Sequence, residues 1–473
     1  MTKNIVLFLM TIFIEFSIES QSFLYASNKE CPDINLMKAN KNNDKITIRF
    51  VGDIVFPSQD YKYNSYYKQH NFFSGVSDYL KTADISFGNL EGVLTNLKVP
   101  RRPAEEGKIY NFAFDPAFAN LLKNSGFTML NIANNHSHDY GTAGYDDTIK
   151  HLNKADLVPV GIKNDIKIKN VNNLKIGFVG FGFYSHQNSI QNEQETIRII
   201  KEARNLSDYL IVSFHGGDEG PNAQWQDDKT EYFLEENRGN SVSFARTVID
   251  AGADAVIGHG PHVLRSIECY KGKPIVYSLG NFMTIGGLSN HGPMGISMIF
   301  GVQLNHDGKV AQLEILPVYQ TLHKLPWYDF NHQAIDFINK LAKFARYKGD
   351  FLRPDPEMAA TSNQDQLYKD AFELNRSFNS NEIMKLATQY NLKFIPPLIV
   401  KIKEQDLDIV IPHLDYLISQ GKLQELVIMR QKRKYNQNYL FNEDHFYDPD
   451  VEITTSITKI KSNKQDLKAI YPK

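Results

Sequence analysis

Apolar runs of strand length recur through the first two thirds of the chain, and five of them stop at polar residues able to bind a cation. The alternating run Ile46-Thr47-Ile48-Arg49-Phe50-Val51 predicts a strand ending in Gly52-Asp53. Residues 83–87 predict a second, which runs into Gly88-Asn89-Leu90-Glu91-Gly92. Residues 127–130 predict a third, followed by the polar stretch NIANNHSHDYG at 131–141. Residues 208–214 predict a strand stopping at His215-Gly216-Gly217-Asp218-Glu219, and residues 253–257 one stopping at Gly258-His259-Gly260-Pro261-His262. Further strands are expected at 157–161 and 174–182. Helical spacing at 77–81, 116–124, 143–152, 193–205 and 241–251 alternates with these runs, with Pro116, Gly126 and Gly252 as start and stop signals. Such alternation predicts an α/β fold, in which ligands gather at the carboxyl ends of strands. A single sheet would bring the five termini to one edge.

Farther on the pattern changes twice. Residues 273–282, 295–304 and 312–317 predict strands, with Asn305-His306-Asp307-Gly308 as a hairpin turn. From about Phe330 the segments are charged and helix-spaced, at 334–347, 365–376, 380–390 and 414–432. A boundary is therefore placed near Asn331, giving a main domain over 45–330 and a mainly helical C-terminal extension over 331–473.

Composition narrows the class of protein. A chain of 473 residues is long enough for a main domain plus an appendage, and its 42% hydrophobic content supports a packed core. Its formal charge of -2 gives no support to nucleic-acid binding, which needs a basic surplus. Residues 1–27 carry Lys3 and then a short apolar run interrupted by Glu15, as in a secretory signal; a retained N-terminal membrane segment is the alternative. Export to the periplasm, cell envelope or exterior follows from either. Two cysteines, Cys31 and Cys269, cannot frame a disulfide scaffold, and the sequence leaves open whether they pair.

A lone histidine at a strand end is usually a hydrogen-bonded structural residue. Seven residues of ligand type at five strand ends, namely Asp53, Asn89, Glu91, Asn135, His215, His259 and His262, suggest a metal centre instead. Carboxylate, amide oxygen and imidazole together suit one or two divalent ions such as Mn²⁺, Fe²⁺ or Zn²⁺. Two such ions, roughly 4 Å apart, would polarise a phosphoryl or similar oxygen. Asp53 and Glu91 offset only part of that positive charge, so an anionic substrate is expected. His136, beside Asn135, is the expected general acid, oriented by Asp139. Glu219 is a further catalytic candidate, although loop glutamates are more often structural. Arg101 and Arg102 read as solvated loop residues rather than substrate contacts.

Gly52-Asp53, Gly88-Asn89-Leu90-Glu91, Ala133-Asn134-Asn135-His136 with Asp139-Tyr140-Gly141, residues 215–219, residues 258–262 and Tyr277-Ser278-Leu279-Gly280-Asn281-Phe282 occur in one order. Together they resemble the bacterial CapA family of poly-γ-glutamate capsule biosynthesis proteins, related to calcineurin-like metallophosphoesterases. The resemblance covers roughly residues 45–317. It implies a four-layer α/β/β/α metallophosphoesterase-like sandwich with a dimetal-type, hydrolase-type site. It also implies an envelope role in making or anchoring an anionic polymer, with membrane-embedded capsule synthesis partners. An independent exported phosphoesterase and a non-catalytic envelope scaffold are the alternatives. Two departures stand out: Val55 occupies the place of the imidazole in the wider Asp-x-His motif, and His259 and His262 are spaced more widely than in His-x-His. Both put the second ion in question.

Overall fold

The computed structural model describes residues 31–58, 72–101, 110–285, 287–320, 324–329 and 332–354, together with four strands farther along the chain. Strands β1 (Ile34–Leu36), β2 (Ile46–Val55), β3 (Ile85–Leu90), β4 (Val93–Leu94), β5 (Ala113–Phe114), β6 (Met129–Asn131) and β7 (Val158–Val160) come first. Helices α1 (Ser77–Lys81), α2 (Phe118–Asn124) and α3 (Gly141–Lys154) lie between them. There follow β8 (Lys167–Val171), β9 (Leu174–Phe181), α4 (Glu193–Leu206), β10 (Tyr209–His215), β11 (Glu231–Phe233), β12 (Glu236–Gly239) and α5 (Ser241–Ala251). Next are β13 (Ala255–His259), β14 (Ile267–Tyr270), β15 (Lys273–Val276), β16 (Asn281–Thr284), β17 (Ile296–Leu304), β18 (Val310–Gln320), β19 (Pro326–Tyr328) and α6 (Gln333–Lys343).

These strands make two large sheets. One has the order β1-β18-β17-β2-β3-β6-β7, with β16 also on β2 and β19 on β18; the other runs β14-β15-β13-β10-β9-β8. Because successive side chains on a strand point to opposite faces, each strand divides its apolar residues between two cores. On β2, Ile46, Ile48 and Phe50 face the second sheet, while Val51, Ile54 and Val55 join a core with Leu80 of α1, Leu122 of α2 and Leu152 of α3. On β10, Tyr209 and Ile211 face the first sheet, whereas Leu210, Val212 and Phe214 pack with Ile199 and Ile200 of α4 and Val248 of α5. Burial of each such side chain contributes roughly 1.5–3 kcal/mol. The result is helix, sheet, sheet and helix in four layers, the architecture expected from the resemblance. The helix ends follow from local chemistry. The Asn240 side chain accepts from Val242 N and Ser243 N at 3.0 Å to start α5, and Gly252, at φ 127°, stops it.

Several sequence expectations change. The five strand ends do not lie on one sheet: β2, β3 and β6 belong to the first, β10 and β13 to the second. The run at 273–282 is not one strand but two, since the chain leaves the second sheet after β15 and enters the first at β16, turning at Gly280 (φ 67°). β2 continues beyond Asp53 to Val55 because β16 pairs with it there. The packed body also runs past Asn331: α6 buries Ala334 and Ile338 in the core between the sheets, and Leu352 N donates to Ile267 O at 2.9 Å. Farther on, the described residues form an antiparallel sheet of strands Ile399–Ile402, Leu407–Val410, Glu425–Lys432 and Thr454–Lys461. The helix expected at 414–432 is thus strand from Glu425 onward, and the helices expected at 365–376 and 380–390 lie outside the described residues, as does the N-terminal signal.

Cys31 and Cys269 are joined in a disulfide that ties the segment before β1 to β14 of the second sheet across 238 residues of sequence. Closing so long a loop limits the unfolded ensemble, and its loss costs about 2–5 kcal/mol. Cys31→Ser with Cys269→Ser, or reduction of the parent, is expected to lower the denaturation midpoint by a corresponding amount. An unchanged midpoint under reductant would contradict a structural role for the bond.

Candidate metal centre

Register places the predicted ligands side by side before any side chain is considered. Asp53 of β2 is the partner of Asn89 of β3, and His215 of β10 is the partner of His259 of β13. The pairing of β2 with β3 shifts between Phe50 and Asp53, the kind of irregularity that re-aims a side chain near a site. Gly52 permits it: a Cβ there would lie 1.9 Å from Gly280 O, and Asp53 N donates to that same carbonyl at 2.9 Å. After β13, Gly260 (φ 112°) and His262 (φ 61°) turn the chain back so that His262 Nδ1 comes within 3.1 Å of Asp53 Oδ2.

Asp53, Glu91 and His215 each present one ligand atom within 4.8 Å of the other two, and all three are buried. His259 Nδ1 lies 3.5 Å from Asp53 Oδ1, His262 Nε2 lies 3.7 Å from Glu91 Oε1, and His215 Nε2 lies 3.9 Å from the same oxygen. Glu91 Oε1 and Oε2, His215 Nε2, His259 Nδ1 and Nε2, and Asn135 Oδ1 are buried and have no hydrogen-bond partner among the described residues. A buried polar atom left unpaired costs about 1–3 kcal/mol, so this convergence fits donors arranged for a cation.

The electrostatics agree with the geometry. Burial pushes the Asp53 carboxyl up, but the imidazoles of His259 and His262 outweigh it and hold the group well below the usual carboxylate range. Burial lifts Glu91 to about 8 against the opposing charge of His262. His262 itself is disfavoured by burial yet raised to about 10 by the charge of Glu91 and its hydrogen bond to Asp53. Burial holds His215 far below its ordinary value, in the neutral form that can ligate.

His136 and Asp139 form the expected dyad, Nδ1 to Oδ2 at 2.8 Å, and the same oxygen accepts from Phe112 N at 2.7 Å. Burial opposes protonation of His136, but the charge and hydrogen bond of Asp139 prevail and raise its pKa. The Phe112 ring packs against the imidazole at 4.3 Å. Glu219 Oε2 is 3.7 Å from His262 Nε2, and its other oxygen pairs with Arg238.

Asn89 behaves differently from expectation. Its Oδ1 accepts from Asn131 Nδ2 at 2.9 Å and Asn134 Nδ2 at 3.1 Å, while its own Nδ2 donates to Asp53 Oδ1 at 2.8 Å. The oxygen expected as a ligand is thus committed to two amides, and Asn89 orients Asp53. Val55 is fully buried in the apolar core beside the helices, so that position brings no donor to the centre. Three contributors were not foreseen. Asn131 closes β6 and Asn134 stands in the polar stretch after it, and both could have been inferred as buried amides. Arg238, buried under Glu219 and set 4.4 Å over the Phe183 ring, had no signal in its flanking residues.

The family model for the bacterial capsule synthesis protein PGA_cap matches residues 47–285, a span that holds every candidate ligand and dyad residue named above. Among curated proteins, the chain is 31% identical over 263 residues to the capsule biosynthesis protein CapA of Bacillus anthracis, covering 51% of this chain and 61% of that protein. It is 30% identical over 279 residues to the PGA biosynthesis protein CapA of Bacillus subtilis (strain 168), covering 55% of this chain and 68% of that one. Among solved structures, a 5'-nucleotidase precursor from Thermus thermophilus aligns with a TM-score of 0.34 at 9% identity, over 63% of this chain and 58% of that chain. The layers described above rest on the sheets and their cores rather than on that overlay. With half the chain under one family model and six ordered motifs inside it, this protein belongs to the bacterial capsule synthesis protein family PGA_cap.

Proposed function

We propose that the protein is exported and acts in the synthesis or anchoring of poly-γ-glutamate or a related anionic capsule polymer, through a metal-dependent, hydrolase-type site. The observation that carries this reading is the buried set Asp53, Glu91 and His215, with unpartnered donor atoms on Glu91, His215 and His259. Their chemistry suits Mn²⁺, Fe²⁺ or Zn²⁺. Asp53, Glu91 and His215 would hold the ion, with His259, His262 and Asn135 as the remaining donors. Val55 and the committed oxygen of Asn89 favour one ion over two. When bound, such an ion supplies Lewis-acid activation of a phosphoryl or acyl oxygen and of an attacking water.

The chain's own groups then have distinct tasks. Asp139 holds His136 through Nδ1, which leaves the Nε2 proton to be given to a leaving group. Asn89 and His262 fix the Asp53 carboxylate from two directions. Arg238 and Glu219 brace His262. The disulfide supports export, because such bonds persist in oxidising compartments. Among the described residues no helix is long and apolar enough to cross a membrane, and membrane-embedded capsule synthesis partners are part of the proposal.

Metal content of the purified chain, ion uptake after chelation, and hydrolysis of simple phosphoesters and of γ-glutamyl polymer test the reading together. The expected result is uptake of one divalent ion per chain and ion-dependent cleavage of one substrate. Cleavage confined to simple phosphoesters would favour an independent phosphoesterase. A chain without affinity for any divalent ion would remove the hydrolase and leave an envelope scaffold.

A further inference from the structure

The loop between β10 and β11, residues 216–230, is stapled to the His262 turn at three points. Gly220 N donates to Pro261 O at 3.1 Å, Glu219 Oε2 stands 3.7 Å from His262 Nε2, and Arg265 Nε donates to Ala223 O at 2.7 Å. Loop and turn therefore move as one piece. That matters for His262, because its φ of 61° is uncommon for a residue with a side chain and persists only where the surroundings fix it.

The other side of this loop is held by residues that lie beyond the family-matched span 47–285. After α6 the chain turns at Phe344 and runs as a strap along β14, where Cys269 N donates to Asp350 O at 2.7 Å and Leu352 N to Ile267 O at 2.9 Å. From this strap Arg346 sets its guanidinium 5.5 Å over the Trp225 ring, and Tyr347 OH accepts from Gln226 Nε2 at 2.7 Å. Tyr277 and Ser266 hydrogen-bond the same hydroxyl and fix it from the body of the protein. Gln226 is buried and its Oε1 has no partner, so among the described residues the bond to Tyr347 is the only one its side chain makes. A buried amide that loses its last bond gains by swinging toward water, and the loop goes with it.

We infer that Tyr347 is a positioning residue for the metal centre, acting through Gln226 and the loop on Glu219 and His262, and through His262 on Asp53. The inference rests on the ion reading above. It gives the segment after the family domain a task in the site: the strap backs the staples that keep His262 where its Nδ1 reaches Asp53 Oδ2 at 3.1 Å. Arg346, stacked on the neighbouring Trp225, supports the same loop from the same side.

The test titrates metal-stripped full-length protein with Co²⁺, whose visible absorption band reports the geometry of its ligands. Tyr347→Phe keeps the ring and removes the hydroxyl, and Gln226→Met removes the amide at similar volume. Each should raise the Kd for Co²⁺ about threefold to tenfold, the worth of one neutral hydrogen bond, and shift the band. The double variant should bind no more weakly than Tyr347→Phe alone, because both changes break one link. Parent-like Kd in either single variant would overturn the inference, as would a lower unfolding midpoint with an unchanged Kd, or additive losses in the double variant. Amide exchange of the metal-free chains keeps the two readings apart: Tyr347→Phe should speed exchange at Gly220 and Ala223, whose N–H groups are bonded in the loop. A parent that takes up Co²⁺, with exchange in Tyr347→Phe unchanged, sinks the positioning role alone. Faster exchange in that variant, with a parent that takes up no ion, sinks the ion reading alone.

Discussion

Asp53→Ala and His215→Ala are each expected to abolish divalent-ion binding, measured by titration calorimetry on chelator-treated protein. Asp53 is the hub: its carboxylate meets Asn89 at 2.8 Å, His262 at 3.1 Å and His259 at 3.5 Å, so its removal takes away one candidate donor and frees His259 and His262 from their positions. His215 supplies the neutral imidazole of the three-residue set. Loss of a residue that only supports a ligand costs about 10–100-fold in affinity, and loss of a ligand itself should exceed that. Asn89→Ala is the informative contrast, because its oxygen already serves Asn131 and Asn134; it should weaken ion binding within that smaller range. Parent-like affinity in both Asp53→Ala and His215→Ala would mean that the ligands have been misassigned.

The second large effect falls on turnover rather than binding. His136→Ala should keep the ion and lose about 10²–10⁴-fold in kcat on whichever substrate the parent cleaves, the usual worth of a positioned general acid. Asp139→Asn should give a smaller loss, since it leaves the imidazole in place but removes the charge that favours its protonated form. Full activity in His136→Ala would transfer the proton to another group, and loss of the ion in that variant would make His136 a ligand.

Most of the centre could be read from the chain because strand length is a local property. Alternating or continuous apolar runs end where the backbone leaves the sheet, and Asp53, Asn89, His215 and His259 stand at or next to those ends. Which sheet each strand joins is not local. Parallel buried strands such as β3 and β10 have the same apolar character in either sheet, so the division of the site between two sheets was hidden. Arg238 was hidden for another reason: Glu236–Gly239 is a short strand with no apolar alternation, and the link to Glu219 spans a loop. In the tail, Leu426-Val427-Ile428-Met429 sits inside a stretch with helical spacing, and a short apolar run fits either period.

The ligands' divided origin has a mechanical consequence. Asp53 and Glu91 ride on one half of the sandwich, His215 and His259 on the other, so a cation held by both would act as a rivet between them. Resistance to unfolding should then climb with free ion concentration, by about 2.7 kcal/mol at a hundredfold excess over Kd. Scarcity of that ion would then loosen the whole sandwich as well as silence its chemistry.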